Sequence, residues 1–152
     1  MPKSDAEWRA LVEKLAREVM GWHKWDELPE NAHRAYWQAI KEEPDEYSLA
    51  HNEQQWWSLD ESGCPDGEKW LSDWQPHEDV AQALMAARKI VERGWGFQLG
   101  TFTYPEPPVL KSTAEFWTYD TLPSEGYAET DAKAICGAIE QWLDAQKEAQ
   151  EK

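Results

Sequence analysis

Val80-Ala81-Gln82-Ala83-Leu84-Met85-Ala86-Ala87-Arg88-Lys89-Ile90-Val91-Glu92-Arg93-Gly94-Trp95-Gly96-Phe97-Gln98-Leu99 carries both structural periods of this chain. Val80, Ala83, Leu84, Ala87, Ile90 and Val91 recur at the spacing of one helix face, with Lys89, Glu92 and Arg93 on the polar side. Gly94 stands where a left-handed C-cap residue belongs. Beyond it Trp95, Phe97 and Leu99 alternate with Gly96 and Gln98, the pattern of a strand. The apolar parity then switches at Gly100, from Phe97 and Leu99 to Phe102 and Tyr104, which predicts a β-bulge or a bend.

Working outward, Pro105-Glu106-Pro107-Pro108 predicts a stiff loop reaching Lys111 and Ser112, and Glu115-Phe116-Trp117-Thr118-Tyr119 a further strand. Residues 120–127 read as a loop. A last helix starts near Thr130 as N-cap, with Ala134, Ile135, Ala138, Ile139, Trp142 and Leu143 on its apolar face. Upstream, Trp56-Trp57-Ser58-Leu59-Asp60 and Lys69-Trp70-Leu71-Ser72 read as a hairpin around the turn 61–67. Ser4-Asp5-Ala6-Glu7 is a capping box opening a first helix that carries Trp8, Leu11, Val12, Leu15 and Val19 and ends at Gly21. Between these lies a helix opened by Pro29-Glu30-Asn31 and ended by Pro44, then a solvated acidic run of Glu42, Glu43, Asp45 and Glu46.

The expected fold is α+β: a small, mostly antiparallel sheet of about four strands between helical layers, an α-β-α sandwich. It spans 1–152 as one domain, with a helical insertion at about 23–55 and a tail that frays at about 146–152. A chain of 152 residues buries roughly 70% of its unfolded surface, so no disulfide or metal staple is required.

Thirty acidic residues against fifteen basic ones give a net charge of −15. Such a chain is repelled by phosphate backbones and acidic membranes, which argues against direct nucleic-acid binding. No apolar run approaches a membrane span, and Met1-Pro2-Lys3-Ser4-Asp5 is not a signal peptide, so a cytoplasmic protein with reduced Cys64 and Cys136 is expected. His23, His33, His51 and His77 have no zinc-site spacing, and His77-Glu78-Asp79 reads as an exposed first turn whose acids complement the helix dipole. Phosphate-cradling loops and nucleophile elbows are absent from the sequence, so neither cofactor, metal nor catalysis is expected.

Eleven residues are tryptophan. Trp8, Trp95, Trp117 and Trp142 follow the periodicity of their elements and read as core. Trp25, Trp56, Trp57, Trp70 and Trp74 cluster in or beside loops. Adjacent Trp56 and Trp57 on a strand point to opposite faces, so either an indole is exposed or the inserted helix covers it. An exposed indole stacks on a nucleobase or anchors a protein interface.

Four short pieces in order resemble one family: Glu18-Val19-Met20-Gly21-Trp22, Gln75-Pro76-His77-Glu78-Asp79, Gly94-Trp95-Gly96-Phe97 and Ala134-Ile135-Cys136-Gly137-Ala138. Over residues 5–22 and about 56–145 the chain is similar to the phage ABA sandwich domain of small bacteriophage and prophage proteins. It departs from the family's Ser-Thr-Asp before the central helix, where His77 and Glu78 precede the retained Asp79, and its 22–55 segment is long for the family. The resemblance implies a sheet between helical layers and a phage or prophage origin, and it carries no catalytic residues. Two expectations follow. One is a non-enzymatic, phage-encoded protein that sequesters a nucleotide-type host defence signal. Trp25, Trp56, Trp57 and Tyr104 would stack on it, Arg34 and Lys111 would hold its phosphates, and the protein could be a homodimer. The other is an acidic inhibitor or nucleic-acid mimic that docks on a basic host protein.

Overall fold

The computed structural model describes residues 3–105 and 108–151, the side chains of 102, 104, 105, 108–110 and 151 excepted. The chain forms two compact units, Met1–Leu15 with Gln75–Lys152, and Ala16–Trp74. Residues 23–55, read from the sequence as an insertion, fall in the second of them.

The first unit opens with α1, Asp5–Lys14. Both halves of its capping box form: the Ser4 hydroxyl accepts from the Glu7 amide and the Glu7 carboxylate accepts from the Ser4 amide, each at 3.2 Å. Helix α4, Val80–Val91, is capped by Asp79, whose carboxylate accepts from the amides of Ala81 at 2.9 Å and Gln82 at 3.3 Å. Gly94, at φ 97°, ends the segment in the left-handed region as its position predicts. The buried stripe of α4 is Ala83, Ala86, Ala87 and Ile90, while Val80, Leu84 and Val91 stay about two-fifths exposed. The packed face is therefore centred on small residues and is rotated from the face drawn through all six apolar positions.

Strands β4 (Gly96–Pro105), β5 (Pro108–Trp117) and β6 (Ser124–Ala128) form an antiparallel sheet with β5 in the middle. The β4–β5 register runs unbroken from Gly96 opposite Trp117 to Pro105 opposite Pro108. Two sequence expectations are corrected here. No bulge forms at Gly100, and residues 108–112 are strand rather than loop. The pairing of ten consecutive positions outweighs the local proline signal, because the prolines at 105 and 108 sit at strand ends where a missing amide costs little.

Helix α5, Asp131–Glu151, packs on β5 and β6 and against α4. The Thr130 hydroxyl accepts from the Lys133 amide at 3.2 Å, as an N-cap does. The buried Ser112 hydroxyl donates to Asp131, fastening β5 to the first turn of the helix. Residues 146–151 are helical, consistent with the strong helix formers Gln146, Lys147, Glu148 and Ala149. The N-terminal segment is tied to α5 by ion pairs, Lys3 to Glu140 at 2.7 Å and Lys14 to Asp144 at 3.5 Å.

The second unit begins at Ala16, within a π turn, Leu15–Val19, and continues through a left-handed Gly21 at φ 75°, where the Trp22 amide donates to the Ala16 carbonyl at 2.8 Å. Next come β1 (His23–Lys24), a 3-10 turn (Trp25–Glu27), α2 (Glu30–Ile40), α3 (Glu46–Asn52), β2 (Gln55–Leu59) and β3 (Pro65–Trp70). The sheet order is β1-β2-β3, all antiparallel, and the predicted hairpin is β2–β3. Its register slips between Trp56 and Trp57.

The protein is thus α+β with antiparallel sheets, as its sequence pattern indicates. The described residues hold six strands in two sheets, where about four in one sheet were expected. The two extra strands are β1, with two residues, and β6, Ser-Glu-Gly-Tyr-Ala, which has none of the β-branched residues that mark a strand.

Candidate functional site

Four of the five loop tryptophans of the second unit are core, not surface. Trp25, Trp56, Trp57 and Trp74 are each at most 3% exposed. Trp25 sits in the 3-10 turn and makes a tilted contact with Trp57 at 5.1 Å between centroids. Tyr36 meets both rings edge-on, at 5.1 Å and 5.3 Å. The His33 ring stacks on Trp25 at 4.3 Å, and its Nε2 lies 2.6 Å from the Trp25 carbonyl. Leu28 and Ala32 complete this cluster, and Trp37 packs on it. The Trp57 indole N–H donates to the Asn52 carbonyl at 2.9 Å, so its one polar atom is satisfied in the interior.

Trp56 has different neighbours. The guanidinium of Arg17 and the ammonium of Lys24 lie over its ring at 5.5 Å and 5.8 Å. Arg17 also grips Glu27 at 2.7 Å, which holds the Glu27 carboxyl below its ordinary range. Trp22 and Trp74 meet edge-on at 4.8 Å. Trp70 alone of the loop group is open, 42% exposed, with its ring edge on His51.

Of the predicted ligand residues, Trp25 and Trp57 are therefore brought together, but as packed core, and Trp56 is sealed beneath cations of its own unit. Arg34 is exposed on α2. Lys111 belongs to the first unit, half-buried on β5, where its charge adds to the Lys133 hydrogen bond in holding Glu129 low. The side chain of Tyr104 lies outside the described residues. The four tryptophans read as core by periodicity also divide. Trp142 is 2% exposed, with Arg93 over its ring, while Trp8, Trp95 and Trp117 are half-buried.

What the second unit presents to solvent is negative charge. It holds five basic residues (Arg17, Lys24, Arg34, Lys41 and Lys69) against fourteen acidic ones. Arg17 and Lys24 are spent on Glu27 and Trp56. Glu42, Glu43, Asp45, Glu46 and Tyr47 are all exposed, Tyr47 to 83%. This segment is structured at both ends. Lys41 closes α2 in the left-handed region at φ 58°, and Asp45 caps α3 by accepting from the Ser48 amide at 2.7 Å. The second contact lowers the Asp45 pKa. Helix α3 was missed in the sequence because its acids look like a solvated run. The available signal was the cap itself, an Asp three residues ahead of Ser48 and directly after Pro44.

His77 also departs from expectation. It is not an exposed first-turn residue: its ring stacks on Trp8 at 5.4 Å, its side chain is 15% exposed, and its Nδ1 is buried without a hydrogen-bond partner. Burial pushes its pKa down, outweighing the pull of Glu78, with Lys133 acting in the same direction as burial and Asp5 against it. A histidine with a depressed folded pKa binds its proton more readily when unfolded, so stability falls as pH drops below the unfolded value of about 6.5. Thermal melts between pH 7.5 and 5.5 are expected to show a loss of midpoint that His77→Phe, which keeps the ring stack, largely abolishes. Equal slopes for the two proteins would refute the assignment to His77.

Among the described residues no group of three or more His, Cys, Asp or Glu is placed to hold a metal. Cys64 and Cys136 are unbridged, and burial pushes the Cys136 thiol up to about 12. Cys64 is raised too, by desolvation and then by Asp60 and Asp66, so neither thiol is activated as a nucleophile. No helix among the described residues is long and apolar enough to cross a membrane. No family model, curated protein or solved structure matches the chain.

Proposed function

We propose that this is a non-enzymatic docking protein that engages a basic protein surface through the acidic face of its second unit, with Glu42, Glu43, Asp45 and Glu46 as the charged rim and Tyr47 as the aromatic anchor. The observation that carries this reading is the presentation of segment 42–47. Its charges and its tyrosine are exposed together, between a left-handed helix end and a helix cap, so little ordering cost remains on binding. Tyrosine is enriched among residues that dominate interface energy, and complementary charge speeds encounter.

The alternative, sequestration of a nucleotide-type signal, needs rings displayed to solvent, and Trp25, Trp56 and Trp57 are not displayed. Their burial favours docking over stacking. The phage origin, the host cytoplasm as site of action, and a sandwich arrangement of helices about a sheet rest on the resemblance to the phage ABA sandwich domain. The order α1, α4, β4, β5, β6, α5 in the first unit is compatible with that layered plan.

The test is a titration against a panel of basic nucleic-acid-binding proteins, with a parallel panel of cyclic and linear nucleotides read by tryptophan fluorescence. Binding to a basic protein is expected to weaken with salt, and to fall about tenfold or more when Glu42, Glu43 and Glu46 become lysine. A nucleotide response, or protein binding indifferent to the reversed charges, overturns the reading.

A further inference from the structure

The first unit's sheet has two edges of opposite character. Strand β6 is short and carries Glu125. Short length and charge are the usual means of keeping an edge from pairing with another chain. Strand β4 has neither protection. It is ten residues long, pairs with β5 without a bulge, and its sequence, Gly-Phe-Gln-Leu-Gly-Thr-Phe-Thr-Tyr-Pro, has no charge and no proline before its last position. It lies within Gly94–Pro105, the longest stretch of this chain without a charged residue, although 30% of the chain is charged. Gln98, Thr101 and Thr103 are exposed, and no described residue of β4 is buried. In an antiparallel edge strand alternate residues turn their amide and carbonyl groups away from the sheet, leaving them open to pairing.

We propose that the β4 edge is a self-pairing surface, on which a second copy of this chain adds its own β4 antiparallel to make one continuous six-stranded sheet. The occupant follows from charge. Two copies at −15 each repel, so close approach is least opposed where neither contributes a charge. A strand selected to bind a charged peptide would be expected to carry the complementary charge, and β4 carries none. The strand is also compatible with its own reverse. A two-fold axis at Gly100 sets Leu99 opposite Thr101 and Phe97 opposite Thr103 of the partner, and brings glycine against glycine at the centre, where no side chain opposes the approach of the two strands.

The full-length chain is to be measured by light scattering over a wide concentration range, at low and moderate ionic strength. A mass rising to twice that of one chain is expected, and salt is expected to favour it, because screening relieves the repulsion between copies. That sign is opposite to the one expected for docking on a basic partner, so the two proposals fail separately. Thr101→Lys and Thr103→Lys place like charges on the edge and are expected to return the mass to that of one chain. Hydrogen exchange on the unmodified protein needs no variant: protection of 96–105 is expected to grow with concentration while β6 is unchanged. A single-chain mass at all concentrations, a dimer indifferent to both lysines, or concentration-independent exchange in β4 overturns the proposal. A dimer whose protection appears at β6 does so as well.

Discussion

Gly126→Ala is expected to cost about 3 kcal/mol or more and to lower the melting midpoint by roughly 6 °C or more, an effect at or beyond the upper end of ordinary overpacking. The reason is a backbone-to-backbone contact between β6 and α5. A Cβ added at Gly126 would lie 2.1 Å from the Ala134 carbonyl oxygen, 2.5 Å from the Ala138 amide nitrogen and 3.0 Å from the Gly137 carbonyl carbon. These atoms belong to the main chain of a helix and cannot rotate away, so α5 must move off the sheet and disturb the packing of Ile135 and Ile139, both fully buried. The facing glycine behaves differently. A Cβ at Gly137 meets only the Gly126 Cα, at 3.6 Å, an ordinary contact. Gly137→Ala should be neutral or gain up to about 1 kcal/mol from helix propensity. Gly100→Ala is a second control, because its nearest atom is the rotatable Thr113 hydroxyl at 3.3 Å. Urea denaturation of the three variants checks the order. A Gly126→Ala midpoint equal to that of Gly137→Ala would show that the close approach does not exist.

That contact also shows what could be read in advance. Ala134-Ile135-Cys136-Gly137-Ala138 is one of the pieces that carry the family resemblance, and its small residues have a packing reason: they let β6 lie against the helix. Helix faces and caps were legible because each depends on neighbours within a few residues. Ser4 with Glu7, Asp79 with Ala81 and Gln82, and Thr130 with Lys133 are all local. The edges of the sheets were not legible in the same way. Whether 108–112 is loop or strand depends on a partner across a hairpin, and β6 is a strand only because β5 and α5 hold it. The candidate site was the least legible part. Periodicity assigns a tryptophan to the core when it recurs on a helix face. It is silent about Trp25, in a 3-10 turn, or Trp74, beside one, and these are more deeply buried than Trp8 on its regular helix. An indole is large enough to be enclosed by other aromatic rings whatever the local backbone does, and the second unit supplies Tyr36, Trp37 and His33 for that enclosure.

Trp57→Ala is expected to be the most damaging truncation in the second unit, at about 3–5 kcal/mol. Three losses coincide at this position. The ring leaves a void between Trp25 and Tyr36, whose own contacts with it are lost. The Asn52 carbonyl loses the indole donor at 2.9 Å, in a residue only 1% exposed. Collapse of the backbone into the gap is resisted by the paired hairpin, in which Trp57 stands opposite Gly67. That glycine belongs to the same fit: a Cβ there would meet the Gln55 side-chain oxygen at 2.7 Å and the Trp57 ring at 3.6 Å. Trp57→Phe separates these contributions. It keeps most of the ring volume but not the donor, so it should cost less than the alanine variant while still showing roughly 1–3 kcal/mol for the unsatisfied carbonyl. Trp70→Ala, three residues beyond Gly67 on the same hairpin, removes an indole that is 42% exposed and should cost far less than Trp57→Ala. Near-ultraviolet circular dichroism adds a readout beyond stability, since the coupled rings at 25, 36 and 57 are held in fixed orientations that Trp57→Ala dismantles and Trp70→Ala does not touch. If Trp57→Ala and Trp70→Ala proved equally mild, the aromatic cluster would not be the core of this unit, and its burial would no longer favour docking over base stacking.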